Sequence, residues 1–193
     1  MSLNRNKCKQ LLISHRKDSR IVPYSGIDDV SSVNILGVTL RSDLRWCEHF
    51  SRTLLSASRR LHILRFLRPI VTKERLLHVY CSSVLSVLLY AAPVFGILPT
   101  TILKRLRTLQ RRAHRIICSP NCTCSLLPDF CPLKNKLACD LFLKCEFPEH
   151  PLHLLAPLRM PSSRRFRLPP CSTSRRLRSF FPHTCLLVNS DCV

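Results

Sequence analysis

The sequence predicts an α+β fold, mostly helical, in three parts: short strands over 1–45, a helical bundle over 46–147 and a disordered basic tail over 148–193. Three observations predict it. Before residue 45 the apolar residues come in short, β-branched runs between turn-forming residues, as at Val33–Leu40. From 46 to 118 they recur at three- and four-residue steps, the spacing of one helix face. After 147 that periodicity stops, and half of the chain's 14 prolines follow.

Taken in order, Lys7–Ser14 reads as a strand with an apolar second half, and Arg20–Tyr24 as another, confined to a sheet edge by Pro23. Asp28 and Asp29 sit in a turn between them and the next strand. Adjacent carboxylates can hold catalytic metal ions, but this pair reads as the polar tip of a hairpin. Val33–Leu40 reads as one short strand in which Gly37 lets a backbone or ligand come close. Ser42 or Asp43 can then cap a helix. Trp46, Phe50, Leu54, Ala57, Leu61 and Leu64 form one apolar stripe, with Arg52, Arg59, Arg60 and Arg65 mostly away from it. Pro69 closes that helix, Thr72 caps the next, and Glu74 falls in its first turn.

From Leu76 to Leu103 no residue carries a formal charge. That length admits a membrane anchor. Ser82, Ser83, Ser86, Pro93, Gly96 and Pro99 interrupt it, so the buried centre of a helical bundle is the preferred reading. Over 100–118, with Thr100 or Thr101 as cap, Ile102, Leu106, Leu109, Ala113 and Ile116 form a packing stripe. Lys104, Arg105, Arg107, Arg111, Arg112 and Arg115 occupy the rest. Such a set of cations with no acid is either a solvated face or a helix laid along a phosphate backbone.

The balance of charge points the same way. The 193 residues carry 31 Lys and Arg against 11 Asp and Glu, a net +20, at an ordinary 46% apolar content. A compact chain this basic repels itself, so a polyanion is the natural partner: nucleic acid first, an anionic membrane surface second. A non-functional translated remnant, never selected for solubility, has the same balance and stands as a further reading. The 12 cysteines scatter, and Met1–Lys7 is polar and basic without the apolar core of a secretory leader. They are therefore expected to be reduced thiols in the nucleus or cytoplasm, in a chain that is not secreted. Cys118, Cys122, Cys124, Cys131, Cys139 and Cys145 lack the paired spacing of a structural zinc site, and Cys139 and Cys145 fall on a short helix expected over 136–147. In the tail, arginines cluster at 164–167 and 175–178 among the prolines, which predicts an extended, disordered segment.

Several of these pieces together resemble a family. Leu36-Gly37-Val38-Thr39-Leu40, then Ser42-Asp43-Leu44-Arg45-Trp46 and His49, resembles the segment after the palm active site in reverse transcriptases of non-LTR (LINE-like) retrotransposons. Ser2–Lys9 is similar to the block just upstream of that segment. Tyr90-Ala91-Ala92-Pro93-Val94-Phe95 is similar to a thumb motif, with Phe95 for its tryptophan. Leu109-Gln110-Arg111-Arg112-Ala113 is similar to the helix that follows, and His150–Leu155 to a block near the end of some of these elements.

The resemblance covers roughly residues 2–118. It implies that 1–45 are palm-edge strands with Leu36, Gly37 and Val38 as a primer-grip-like element, and that 46–147 are a thumb-like bundle. Lys7 would match a lysine proposed to protonate the leaving pyrophosphate. The family's Asp-Asp turn precedes the block matched by Ser2–Lys9, whereas Asp28-Asp29 follows it. The resemblance therefore implies a piece of an RNA-directed DNA polymerase without the catalytic palm, not an enzyme on its own. No catalytic or metal-ligating residue is expected, and no cofactor; Mg²⁺ belongs to the parent enzyme. The residual role is binding of an RNA/DNA hybrid or duplex backbone, through Lys104, Arg105, Arg107, Arg111, Arg112 and Arg115. A small basic membrane-associated protein anchored by 76–103 and the non-functional remnant remain the alternatives.

Overall fold

The structure is a computed structural model that describes residues 4, 8–14, 24, 26–118, 126–161 and 163–191. Lys7 and the rest of the 2–9 block apart from Asn4, Cys8 and Lys9 lie outside the described residues, as do Cys122, Cys124 and the strand expected over 20–24 except Tyr24. The fold is α+β and mostly helical, as the periodicities predict. The chain divides into two compact units, Met1–Arg52 and Thr53–Val193.

The first unit holds two small sheets. Strands β1 (Lys9–Gln10) and β2 (Asp28–Asp29) pair in parallel, Lys9 opposite Asp28. Strands β3 (Ser32–Ile35) and β4 (Val38–Arg41) form an antiparallel hairpin, Ile35 opposite Val38. Two expectations are corrected here. Asp28-Asp29 is extended and paired, not a hairpin tip. Val33–Leu40 is not one strand but two, joined by a two-residue turn with Leu36 at φ 49 and Gly37 at φ 80. Positive φ at both central residues gives the turn a twist that matches the flanking strands. Gly37 adopts it freely and Leu36 does not.

Helix α1 (Cys47–Leu67) starts in this unit and continues into the second. Its stripe is buried from Phe50 on, with Phe50, Leu54, Ala57, Leu61 and Leu64 each at most 7% exposed, while Trp46 lies just before the helix and is partly buried. Next come α2 (Lys73–Val79), a π-helical stretch (Tyr80–Leu85), α3 (Ser86–Leu89) and a 3-10 turn (Ala92–Phe95). Thr72 occupies the position before α2, yet its side chain makes no cap hydrogen bond. In the π stretch the Ser83 hydroxyl donates to the Val79 carbonyl and Arg60 donates to the Ser83 carbonyl, and at the start of α3 the Ser86 hydroxyl donates to the Ser82 carbonyl. These side chains bond carbonyls where the regular ladder is interrupted. Leu76, Tyr80, Val84, Leu85, Leu88 and Ala92 are buried, so the uncharged run is bundle interior here. Among the described residues no helix is long and apolar enough to cross a membrane.

Helix α4 (Thr100–Ile117) follows, with Pro99 rather than a threonine at the cap position. Helix α5 spans Phe130–Lys144, earlier in the chain than the 136–147 expected. It packs against α3, against the 3-10 turn and against α7 (Phe180–Asp191), which α6 (Ser174–Leu177) precedes.

The region after 147 corrects the sequence reading most. Its prolines and arginines predict disorder, and instead it contributes core. Phe142 of α5, Phe166, Cys185 and Val188 form a buried cluster, flanked by Cys139, Phe180 and Phe181. The Phe142 and Phe166 rings meet edge to face at 4.8 Å. Fully burying a side chain of this size contributes roughly 1.5–3 kcal/mol, enough to outweigh weak local propensity. Arg159 pairs with both carboxylate oxygens of Glu146, at 2.5 and 2.8 Å, while its guanidinium lies 4.7 Å from the Phe166 ring centre.

Candidate nucleic-acid interface

Leucine, arginine, lysine and glutamine, all good helix formers, make up most of α4. Its apolar residues lie where 3.6 residues per turn bring them to one face. Ile102, Leu106, Leu109, Ala113, Ile116 and Ile117 are buried, and the helix contains no acid. The predicted cations Lys104, Arg105, Arg107, Arg111, Arg112 and Arg115 are all exposed.

The structure does not treat these six alike. On the helix wheel Lys104, Arg111 and Arg115 fall opposite the buried stripe, Arg105 and Arg112 on one flank and Arg107 on the other. Arg107 acts electrostatically on Cys131 of α5, opposing the burial that pushes that thiol up. Arg112 and Arg115 line a cleft of about 530 Å³. Across it stand Arg65, in the last turn of α1, and Arg68, just beyond that helix. Ser58 and His62 complete the polar lining, and the largely buried Leu61 and Ile116 supply the apolar part. His62 also meets Phe66 edge to face at 4.8 Å.

Arg65, Arg68, Arg112 and Arg115 are exposed, and among the described residues no carboxylate lines the cleft. Among the described residues none of the four pairs with an acid. Sequence reasoning missed Arg65 and Arg68 as partners of α4. The one available signal was their i,i+3 spacing, which matches that of Arg112 and Arg115.

The primer-grip-like residues lie in the first unit. Leu36 and Gly37 are the hairpin turn, Leu36 being 85% exposed, and Val38 opens β4. His49, part of the same resemblance, is a structural residue. Its Nδ1 accepts from the Thr39 N–H at 3.3 Å, tying β4 to α1, and burial pushes its pKa down. Asp43 accepts from the Arg45 N–H at 3.0 Å and pairs with Arg41 at 3.2 Å. The Arg45 bond is the chief reason its carboxyl lies below the usual range.

Asp28 and Asp29 do not fit a catalytic metal pair. Neighbours on a strand point to opposite faces, and two-metal chemistry needs carboxylates converging on one site. Among the described residues no three His, Cys, Asp or Glu side chains gather into a cluster that could hold an ion. Among the described residues the cysteines are free thiols. Comparison of the chain with family models, with curated proteins and with solved structures found no match.

Proposed function

We propose that this chain binds the sugar–phosphate backbone of duplex nucleic acid or an RNA/DNA hybrid through the outer face of α4. In this reading it is a thumb-like piece of a non-LTR retrotransposon reverse transcriptase, with no polymerase activity of its own. The observation that carries it is the division of α4: one face packed into the bundle, and six exposed cations with no acid spread over the outer face and both flanks. A merely solvated face gains nothing from excluding acids, since i,i+4 pairs of opposite charge stabilise a helix. A face that meets phosphates gains from every cation and loses with every carboxylate. The exposed Leu36–Gly37 turn is a surface position that a primer strand can reach, in keeping with a primer-grip-like role.

The test is the salt dependence of binding to a short duplex of arbitrary sequence. Each phosphate neutralised contributes about −0.9 to the slope of log K against log salt on B-form DNA. Converting Lys104, Arg107 and Arg111 together to Gln is expected to flatten that slope by roughly two units. Changing the duplex sequence is expected to alter affinity little, because phosphate contacts do not specify bases. An unchanged slope in the triple variant would reduce the ridge to a solvated face. For the second half of the reading, primer extension on an RNA template with Mg²⁺ is expected to give no product. Extension that disappears in Asp28→Ala would refute it.

A further inference from the structure

We propose that the cleft between the C-terminal halves of α1 and α4 binds a compact oligophosphate, two or three linked phosphates, presented by a free nucleotide or by the 5′ end of a nucleic-acid chain. This goes beyond backbone binding by the outer face of α4 and does not depend on it. The cleft joins two arginine pairs. Arg65 and Arg68 lie three residues apart at the end of one helix, and Arg112 and Arg115 three apart near the end of another. Within α4 that spacing puts Arg112 and Arg115 on one face, about one turn apart, while Arg68 follows Arg65 just past the end of α1 and lines the same cleft.

Charge decides what such a site can hold. Two helix C-termini together offset only about one elementary charge, whereas four guanidinium groups bring four. With no acid among the described residues of the lining, the excess repulsion favours a ligand that is itself multiply charged. A backbone phosphodiester carries about one negative charge; a terminal phosphate adds about two at neutral pH, so a triphosphate approaches four. Arginine also suits phosphate oxygens better than lysine does, because its planar fork makes two parallel hydrogen bonds.

Shape separates the cleft from the ridge. Its volume, about 530 Å³, falls in the range of small-ligand pockets. Its walls are two helices, and Leu61 and Ile116 make part of its lining apolar. A continuous duplex backbone meets a convex helix face, as the outer side of α4 offers. A concave site with cations on both sides encloses an end group.

The test uses the full chain and inorganic tripolyphosphate, titrated calorimetrically at fixed ionic strength. Three results are expected together. Tripolyphosphate binds at least tenfold tighter than orthophosphate. Arg65→Gln with Arg68→Gln weakens it about tenfold or more. Lys104→Gln with Arg111→Gln, on the outer face, changes it less than about threefold. Any other pattern overturns the proposal: equal losses in both double variants would mean a diffuse polycation, and no preference over orthophosphate would mean no oligophosphate site. Should the Gln pair fail to fold by circular dichroism, Arg65→Lys with Arg68→Lys keeps the charge and removes the forks; it is expected to weaken tripolyphosphate several-fold, and an unchanged affinity would overturn the proposal equally. The source of the ligand follows from two further arms. Competition by ATP or GTP as strong as by tripolyphosphate assigns the site to free nucleotides. A 5′-triphosphorylated RNA that binds tighter than both, and tighter than the same RNA with a 5′-hydroxyl, assigns it to a chain end. The slope lost on converting Lys104, Arg107 and Arg111, none of which lines the cleft, reads the backbone site apart from it, so failure of either reading leaves the other measurable.

Discussion

The side-chain amide of Asn189 bonds both main-chain groups of Phe166: its oxygen accepts from the Phe166 N–H at 2.8 Å, and its nitrogen donates to the Phe166 carbonyl at 3.0 Å. Phe166 is 2% exposed, so water cannot readily replace either bond. Asn189→Ala is expected to cost about 1–3 kcal/mol, because it orphans the buried Phe166 N–H and leaves the Phe166 carbonyl only the weak bond from the Cys185 thiol. Urea unfolding of the variant checks this; a loss under about 0.5 kcal/mol would mean the amide is incidental.

Gly96 is the second fixed point of the C-terminal region. It sits at φ 52 and ψ −132, and a Cβ there would lie 2.0 Å from the Arg178 carbonyl oxygen. That carbonyl already accepts from the Ile97 N–H at 3.1 Å. Gly96→Ala therefore combines an unfavourable backbone conformation with a main-chain clash. It is expected to destabilise by roughly 2–4 kcal/mol and to speed proteolysis beyond Pro170. Wild-type melting and cleavage rates in the variant would contradict this packing.

Lys134 and His183 make the stability depend on pH. The Lys134 ammonium donates to the Gly96 carbonyl from a position only 5% exposed. Burial pushes its pKa down from the ordinary 10.5. Burial, with the Lys134 charge adding to it, pushes His183 down to about 4. Both groups bind fewer protons folded than unfolded, so stability rises with pH. The His183 contribution is fully present above its ordinary 6.5 and is lost as pH falls towards about 4. The loss should be about 1.5 kcal/mol, half the full value of the shift because the ring is only half-buried. His183→Gln should remove that part of the slope in denaturation curves at pH 7.5 and 4.5. Above neutrality, stability should go on rising towards the ordinary lysine range in wild type and not in Lys134→Met.

Leu85 tests the uncharged run. It is 5% exposed at the end of the π stretch. Leu85→Asp places an unpaired carboxylate in the bundle and is expected to cost at least about 4 kcal/mol. A variant as stable as wild type, or wild-type chain that stays with membranes after carbonate extraction, would show that this run does not serve as core.

The helices with one clear stripe were legible in the sequence. Phe50 to Leu64 in α1 and Ile102 to Ile116 in α4 are buried at the positions their spacing predicts. Helix α7 was not legible, because Phe180–Asp191 is apolar on several sides and has no stripe. Pro182 is one of the prolines that suggest an extended tail, yet it lies in the first turn of α7, where its missing N–H has no partner to lose. What orders α7 is burial against Phe142, far away in sequence. The exposed face of α4 was legible as a row of cations, but the cleft was not. Arg65 and Arg68 sit off the α1 stripe, and only the tertiary approach of the two helices brings them opposite Arg112 and Arg115.

The cluster around Phe142 has a consequence for how the chain is made. Phe142 leaves the ribosome before Phe166, and both leave before Cys185 and Val188, yet the four residues share one cluster. Until the last of them emerges, the nascent chain carries α5 with its phenylalanine uncovered, a surface that chaperones recognise. Closing contacts so distant in sequence is also slow. A ribosome that stalls or terminates ahead of Phe180 therefore does not release a smaller finished bundle; it releases an open one, with greasy side chains on display and a short lifetime before degradation.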